Sequence, residues 1–186
     1  MWGALYAAWV ISEVGIAIFM RSRRASHGDK NYDRGSLLIL WPVIIVAISL
    51  GNWYGQAHPP DFFRNRLYAT RLATALLVIG WVVRWVAILK LGRRFTVNVA
   101  IQQHQRVEKS GLFRFVRHPS YTGLLIIFSG IALNTRSWIG TAIVIMPIVI
   151  ALLYRIQVEE AALSSAFGEE YRSYCRTTKR LIPGLF

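Results

Sequence analysis

The sequence predicts an all-helical, polytopic membrane protein with five transmembrane helices, and three observations carry that expectation. Hydrophobic residues make up 54% of the 186, and they fall in long blocks instead of being dispersed among polar ones. Those blocks approach the ~20 residues that an α-helix needs to cross the hydrocarbon core. The 22 Lys and Arg, which give a formal net charge of +13, concentrate between the blocks, as loops facing anionic lipid do. Such a charge could suggest nucleic acid, but no soluble basic module remains once the apolar runs are removed. The single cysteine, Cys175, excludes an internal disulfide and a cysteine metal cluster. The length fits one integral-membrane domain, 1–186, divided into three helices over 1–91 and a loop, helical hairpin and tail over 92–186.

The first span covers residues 2–20, about 28 Å at helical rise. Basic residues follow it and none precede it, the reverse of a signal peptide, so it reads as a retained helix. A basic loop with Arg21, Arg23, Arg24, Lys30 and Arg34 leads to the second span, 36–54, where Pro42 falls within the first two turns. A His58-Pro-Pro-Asp61 turn precedes the third span, 68–91. Residues 92–119 are too polar to span and too long for a mere connection. The fourth and fifth runs, 120–133 and 138–154, are joined by Asn134-Thr-Arg-Ser137, enough only for a tight antiparallel hairpin. The fourth is about 20 Å long, which places its start inside the interface. Pro147 is expected to kink the fifth. Residues 159–174 place Leu163, Ala166, Phe167, Tyr171 and Tyr174 on one helical face, predicting an amphipathic helix weakened in its middle by Gly168.

Five spans put the first loop, the long loop and the tail on one side with seventeen cations, against four on the other. The bias predicts an outside N-terminus and a cytoplasmic loop and tail that meet on one face. Glu13 and Arg84 each lie seven residues from the inner ends of their spans, about 10 Å deep. Unpaired charges there are expensive, so the two are expected to pair.

The segment Gly111-Leu-Phe-Arg-Phe-Val-Arg-His-Pro-Ser-Tyr-Thr-Gly123 packs two cations, an imidazole and a phenol ahead of a helix that Pro119 starts. Intramembrane polar clusters of this kind are site hypotheses by default. No two glycines are separated by one residue, so no Gly-x-Gly nucleotide loop exists. His27, His58, His104 and His118 lack metal-site spacing, and no metal is expected. Arg155 and Glu159 stand four apart on one helix face, where an ordinary intrahelical salt bridge is the competing reading.

Together, Leu91-Gly-Arg-Arg-Phe95, His104…Val107…Gly111-Leu-Phe-Arg, Arg117-His-Pro-Ser-Tyr-Thr-Gly123 and Arg155…Glu159-Glu160…Phe167-Gly-Glu-Glu-Tyr171…Leu181-Ile-Pro183 resemble the isoprenylcysteine carboxyl methyltransferases and related membrane phospholipid methyltransferases. The resemblance covers about half the chain, residues 91–183. It implies transfer of a methyl group from S-adenosylmethionine to a lipophilic acceptor, such as an isoprenylcysteine carboxylate. The implied partners are that lipophilic or prenylated acceptor and membrane lipid, with no nucleic acid and no obligate protein partner. By motif, His104, Gln105, Arg106, Val107, Phe113, Arg117, His118, Pro119, Ser120 and Tyr121 would line the cofactor site. Glu159 would contact the cofactor, and Arg155 would face the acceptor. Phe113 stands where the family usually has tyrosine, and the stretch from His104 to Gly111 is one residue longer than its common spacing. Membrane sterol and steroid reductases, which use NADPH, share an Arg-His-Pro-x-Tyr hinge but generally lack the acidic tail motif, and form the alternative. A non-enzymatic membrane scaffold is the third reading.

Overall fold

The computed structural model of the chain describes residues 2–19, 30–31, 35–63, 65–92, 95, 100–101 and 107–186. In chain order come α1 (Trp2–Phe19), β1 (Lys30–Asn31), α2 (Ser36–Ala57), α3 (Arg66–Leu91), β2 (Ala100–Ile101), a 3-10 turn (Gly111–Arg114), α4 (Pro119–Leu133), α5 (Trp138–Phe167) and α6 (Glu169–Thr177). Helices α1, α2, α3 and α5 are long and apolar enough to cross a membrane, and α4 is a shorter apolar helix. Their outward faces carry Ile11, Ile45, Val82 and Ile150, all exposed. Large apolar side chains turned outward on every long helix are what a hydrocarbon solvent selects. One feature departs from an all-helical chain: β1 and β2 pair antiparallel, Lys30 opposite Ile101 and Asn31 opposite Ala100, joining the first loop to the long loop.

Two helix pairs make the bundle. Helix α3 lies along α4, and α2 lies along α5, with α4 and α5 closing the hairpin between them. Small residues set these distances. A Cβ added at Gly123 would meet the Gly80 carbonyl oxygen at 2.7 Å and the Arg84 nitrogen at 2.8 Å, so the α3 and α4 backbones touch there. Between the pairs lie Leu77, Ile127, Phe128, Val144, Ile148 and Leu152, all fully buried.

At one end, the turn of residues 58–61 caps the hairpin. Ser137 Oγ donates to Asp61 Oδ2 at 2.8 Å, the Trp138 N–H donates to the same oxygen at 3.1 Å, and the Asp61 N–H donates to the Arg136 carbonyl at 3.0 Å. The loop and the hairpin turn thus share a side, as the five-span order requires.

At the other end, the tail differs from its predicted form. Helix α5 runs for 30 residues through Pro147 to Phe167, about 45 Å. Its apolar part, residues 138–154, is about 26 Å long, close to the ~30 Å of a hydrocarbon core, and the charged remainder extends the helix past it. The expected single amphipathic helix over 159–174 is instead divided at Gly168, whose φ of 53° and ψ of −123° end α5 and begin α6. Backbone in that region excludes a Cβ, so glycine breaks the helix where the periodicity alone carried straight through.

Candidate functional site

Pro119 occupies the first turn of α4, and its fixed φ starts the helix immediately after His118. The residues ahead of it are held by the C-terminal segment. Val116 forms a parallel bridge with Lys179. The Arg117 and His118 N–H groups donate to the Lys179 and Arg180 carbonyls at 2.8 and 3.0 Å. Thr122 Oγ1 donates to the Leu181 carbonyl at 2.8 Å. The side chains repeat the attachment: Arg117 Nε donates to Glu160 Oε1 at 2.9 Å, and its guanidinium also bonds the Cys175 and Thr178 carbonyls. Tyr174 Oη donates to the Phe113 carbonyl at 2.5 Å, fixing the 3-10 turn on α6. Hinge, 3-10 turn, α5 end and α6 therefore form one docked unit.

Beneath it lies a cavity to which all six helices contribute. On α5, Phe167, Leu163, Glu159 and Arg155 face it on successive turns. Its tail end is lined by Phe95, Val107, Phe113, His118, Tyr121, Tyr171 and Tyr174. Its deep end is lined by Trp9, Leu40, Trp41, Ile44, Leu124 and Phe128. The cavity thus has an aromatic and acidic half near the tail and an apolar half between the helices.

Tyr121 connects the two charged residues of α5. Arg155 Nε donates to Tyr121 Oη at 3.1 Å, and Tyr121 Oη donates to Glu159 Oε2 at 2.9 Å. Arg155, 3% exposed, also hydrogen-bonds Ser36 Oγ at the start of α2. The Glu159 side chain is 31% exposed, with His118 Nδ1 3.9 Å from its Oε1. The arrangement is a relay through a phenol between two walls of the cavity, in place of a simple i, i+4 contact.

The intramembrane charges meet as expected. Arg84 Nε and Nη2 donate to Glu13 Oε1 and Oε2 at 2.5 and 2.7 Å, and Arg84 Nη1 donates to Ser120 Oγ at 2.8 Å. Glu13 is 4% and Arg84 7% exposed, and both line the cavity. A bidentate, fully desolvated pair of this geometry is the strong form of an Arg–carboxylate contact.

Outside the bundle, Glu160 is the hub of the docked unit. Besides Arg117, it accepts from Arg180 Nε at 3.0 Å, and His118 Nε2 lies 3.3 Å away. Burial works against its charge. The hydrogen bond and charge of His118, then the bonds from Arg117 and Arg180, outweigh that and hold its carboxyl down at about 2. Burial drives the Tyr174 phenol up to about 12 and the Tyr171 phenol upward too, so both stay neutral.

Of the residues proposed from sequence, Val107, Phe113, Arg117, His118, Pro119, Ser120, Tyr121, Arg155 and Glu159 all line this one cavity. His104, Gln105 and Arg106 lie outside the described residues. Sequence reasoning did not assign Leu163, Phe167, Tyr171 or Tyr174 to the site, although their shared helical face was the signal available. Trp9, Trp41 and the rest of the apolar half gave no local signal, because a cavity wall and a buried helix face read alike. Trp9 Nε1 and Tyr171 Oη are buried without a hydrogen-bond partner among the described residues, and both side chains line the cavity. Orphaned polar atoms in a cavity wall suit a ligand that carries polar groups.

Comparison with known proteins returns a consistent set. The sequence model of the isoprenylcysteine carboxyl methyltransferase family matches residues 73–165. Protein-S-isoprenylcysteine O-methyltransferase A of Arabidopsis thaliana is 26% identical over 163 residues, covering 84% of this chain and 81% of the relative. Methanethiol S-methyltransferase of Mycobacterium tuberculosis is 28% identical over 155 residues, covering 74% of this chain and 59% of the relative. A solved structure of a eukaryotic intramembrane Ras methyltransferase, an isoprenylcysteine carboxyl methyltransferase, shares the fold with a TM-score of 0.67 at 20% identity. That likeness covers 99% of this chain and 65% of the other, so the chain spans about two thirds of the solved protein's length.

Proposed function

The chain belongs to the isoprenylcysteine carboxyl methyltransferase family, whose enzymes draw their methyl group from S-adenosylmethionine, and on that premise we propose that this protein methylates the carboxylate of an S-prenylated cysteine or a close lipophilic analogue. The observation that carries the proposal is the two-part cavity, with an acidic, aromatic half under the tail, an apolar half between the helices, and Arg155 among its charged walls. The family match sets aside the NADPH-reductase and scaffold readings that the hinge motif alone left open.

The tail half fits the cofactor by its donor set. Phe113, Tyr121, Tyr171 and Tyr174 offer aromatic faces for a purine or a sulfonium. Glu159, partly exposed, offers a carboxylate for an ammonium or a ribose hydroxyl. His104, Gln105 and Arg106 join this set by motif, with Val107, Arg117, His118, Pro119 and Ser120. When bound, S-adenosylmethionine supplies an electrophilic methyl group.

The chain's own residues position the acceptor. Arg155, held by Ser36 and Tyr121, presents its guanidinium to an acceptor carboxylate. A carboxylate is already a nucleophile, so no proton need be removed. Alignment and exclusion of water supply the catalysis. The likeness to a methanethiol S-methyltransferase favours a second reading, a lipophilic thiol. That acceptor must lose a proton, and Glu159 is the carboxylate placed to take it. In both readings all five apolar helices span the bilayer as a single domain, with the N-terminus outside and the cofactor loop and tail cytoplasmic.

The test is a titration of the detergent-purified protein with S-adenosylhomocysteine and with NADPH. Labelled methyl transfer to N-acetyl-S-farnesylcysteine, a long-chain thiol and phosphatidylethanolamine follows. Binding of S-adenosylhomocysteine alone and a base-labile methyl group on the farnesylcysteine are the expected results. Transfer to the thiol would reassign the acceptor, and NADPH binding without S-adenosylhomocysteine binding would overturn the reading.

A further inference from the structure

The transfer chemistry above makes no use of Glu13 or Arg84, yet both stand buried in the cavity wall. Three facts describe what they join. Glu13 belongs to α1, Arg84 to α3, and Ser120 to the first turn of α4, so the hydrogen bonds tie three helices at one point. Ser120 is the neighbour of Tyr121, the phenol that links Arg155 and Glu159. Trp9 lies one helical turn from Glu13 on the same cavity-facing side of α1, with its ring edge-on to Phe128 at 5.8 Å.

Helix α1 is the least buried of the four long helices. Its buried residues are Trp9, Glu13 and Ile16; Trp2, Leu5 and Tyr6 pack partly against the core, and Val10, Ile11, Val14, Ile18 and Phe19 are exposed. Apart from the ion pair, the polar link recorded between it and α3 is the Trp81 Nε1 donation to Ser12 Oγ at 3.0 Å. In hydrocarbon the hydrophobic effect does not draw helices together, so packing and interhelical hydrogen bonds must hold them. The bidentate charge pair therefore constrains both the distance and the rotation of α1.

We propose that the Glu13–Arg84–Ser120 assembly is a positioning device for the acceptor: it locks α1, and with it Trp9, against the hinge as one wall of the apolar half of the cavity. Acceptor affinity then depends on a charge pair that touches neither reacting atom. The proposal rests on the reading that the apolar half takes the acceptor.

A buried ion pair can be exchanged for apolar side chains of similar volume with little loss of stability. That separates positioning from folding. The double variant Glu13→Leu with Arg84→Met is measured with N-acetyl-S-farnesylcysteine and with the long-chain thiol, using whichever the wild type methylates. The expected result is an acceptor KM raised tenfold or more, with kcat within threefold and S-adenosylhomocysteine affinity within twofold of wild type. An acceptor KM within twofold of wild type in the folded double variant would overturn the proposal and leave the methyltransferase reading intact. A second variant, Glu13→Asp, keeps both charges and withdraws the carboxylate by one methylene. It should raise the acceptor KM threefold or more at unchanged cofactor affinity. If the double variant fails to fold, a wild-type KM in Glu13→Asp overturns the proposal by itself. A wild type that binds S-adenosylhomocysteine but methylates neither probe counts against the acceptor reading, and this inference falls with it.

Discussion

Glu160 carries the hinge on its two oxygens: Arg117 and His118 approach Oε1, and Arg180 binds Oε2. Its neighbour Glu159 faces the cavity instead, bonded to Tyr121. Successive helix positions point about 100° apart, so adjacent carboxylates of one Glu-Glu pair serve different tasks. The Glu160 carboxyl is held at about 2 in the folded protein against an ordinary 4.5. A depressed value means that the folded state binds its proton less readily than the unfolded state. Its stabilisation is thus fully present above pH 4.5 and is lost as pH falls toward 2. Thermal unfolding in detergent should show a Tm that is flat, as far as this group is concerned, from pH 7 to 5 and falls below 4.5. Glu160→Gln should lower the Tm at pH 7 and flatten that acid fall. An unchanged acid slope in the variant would show that Glu160 is not the group being titrated.

At the scale of elements, the site depends on how closely α3 and α4 approach. Gly80 and Gly123 let the two backbones touch one turn from the Arg84–Ser120 bond. The Cβ of Gly123→Ala would stand 2.7 Å from a backbone oxygen and 2.8 Å from a backbone nitrogen, neither of which is a flexible side-chain end. The helices must separate to admit it, at a cost of about 1–3 kcal/mol by analogy with overpacked cores. Gly123→Ala is therefore expected to lower the Tm and reduce methyl transfer. Gly15→Ala, where nothing lies within 4 Å, serves as the neutral control. Equal Tm values for the two variants would mean that the α3–α4 contact tolerates a methyl group. The break at Gly168 is the other element-level determinant. It turns α6 back so that Tyr174 reaches Phe113 and the chain after Thr178 pairs with the hinge.

For the whole molecule, the seventeen-to-four distribution of cations predicts a cytoplasmic tail and an outside N-terminus. An N-terminal epitope should react with antibody in intact cells, and a C-terminal epitope only after permeabilisation. Reaction of the C-terminal epitope in intact cells would invert the topology. The four long apolar helices, the short one, the hinge, the Arg155/Glu159 pair and the pairing of Glu13 with Arg84 were all legible in the chain. Each rests on a local signal: an apolar run, a proline after a polar cluster, helical spacing, or the cost of an unpaired charge in hydrocarbon. Three features were not legible, and each is a matter of distance between segments far apart in sequence. Tyr121 bridges Arg155 and Glu159, Glu160 gathers the hinge and tail, and α1, α2 and α4 combine to line the apolar half of the cavity. By itself the sequence determined the fold class and the family, and it named nine of the residues that line the cavity, because hydropathy, charge placement and motifs are written along the chain. The tertiary structure alone decided which residues face the cavity and which face lipid or the tail, because an apolar side chain suits either solvent and packing makes the choice.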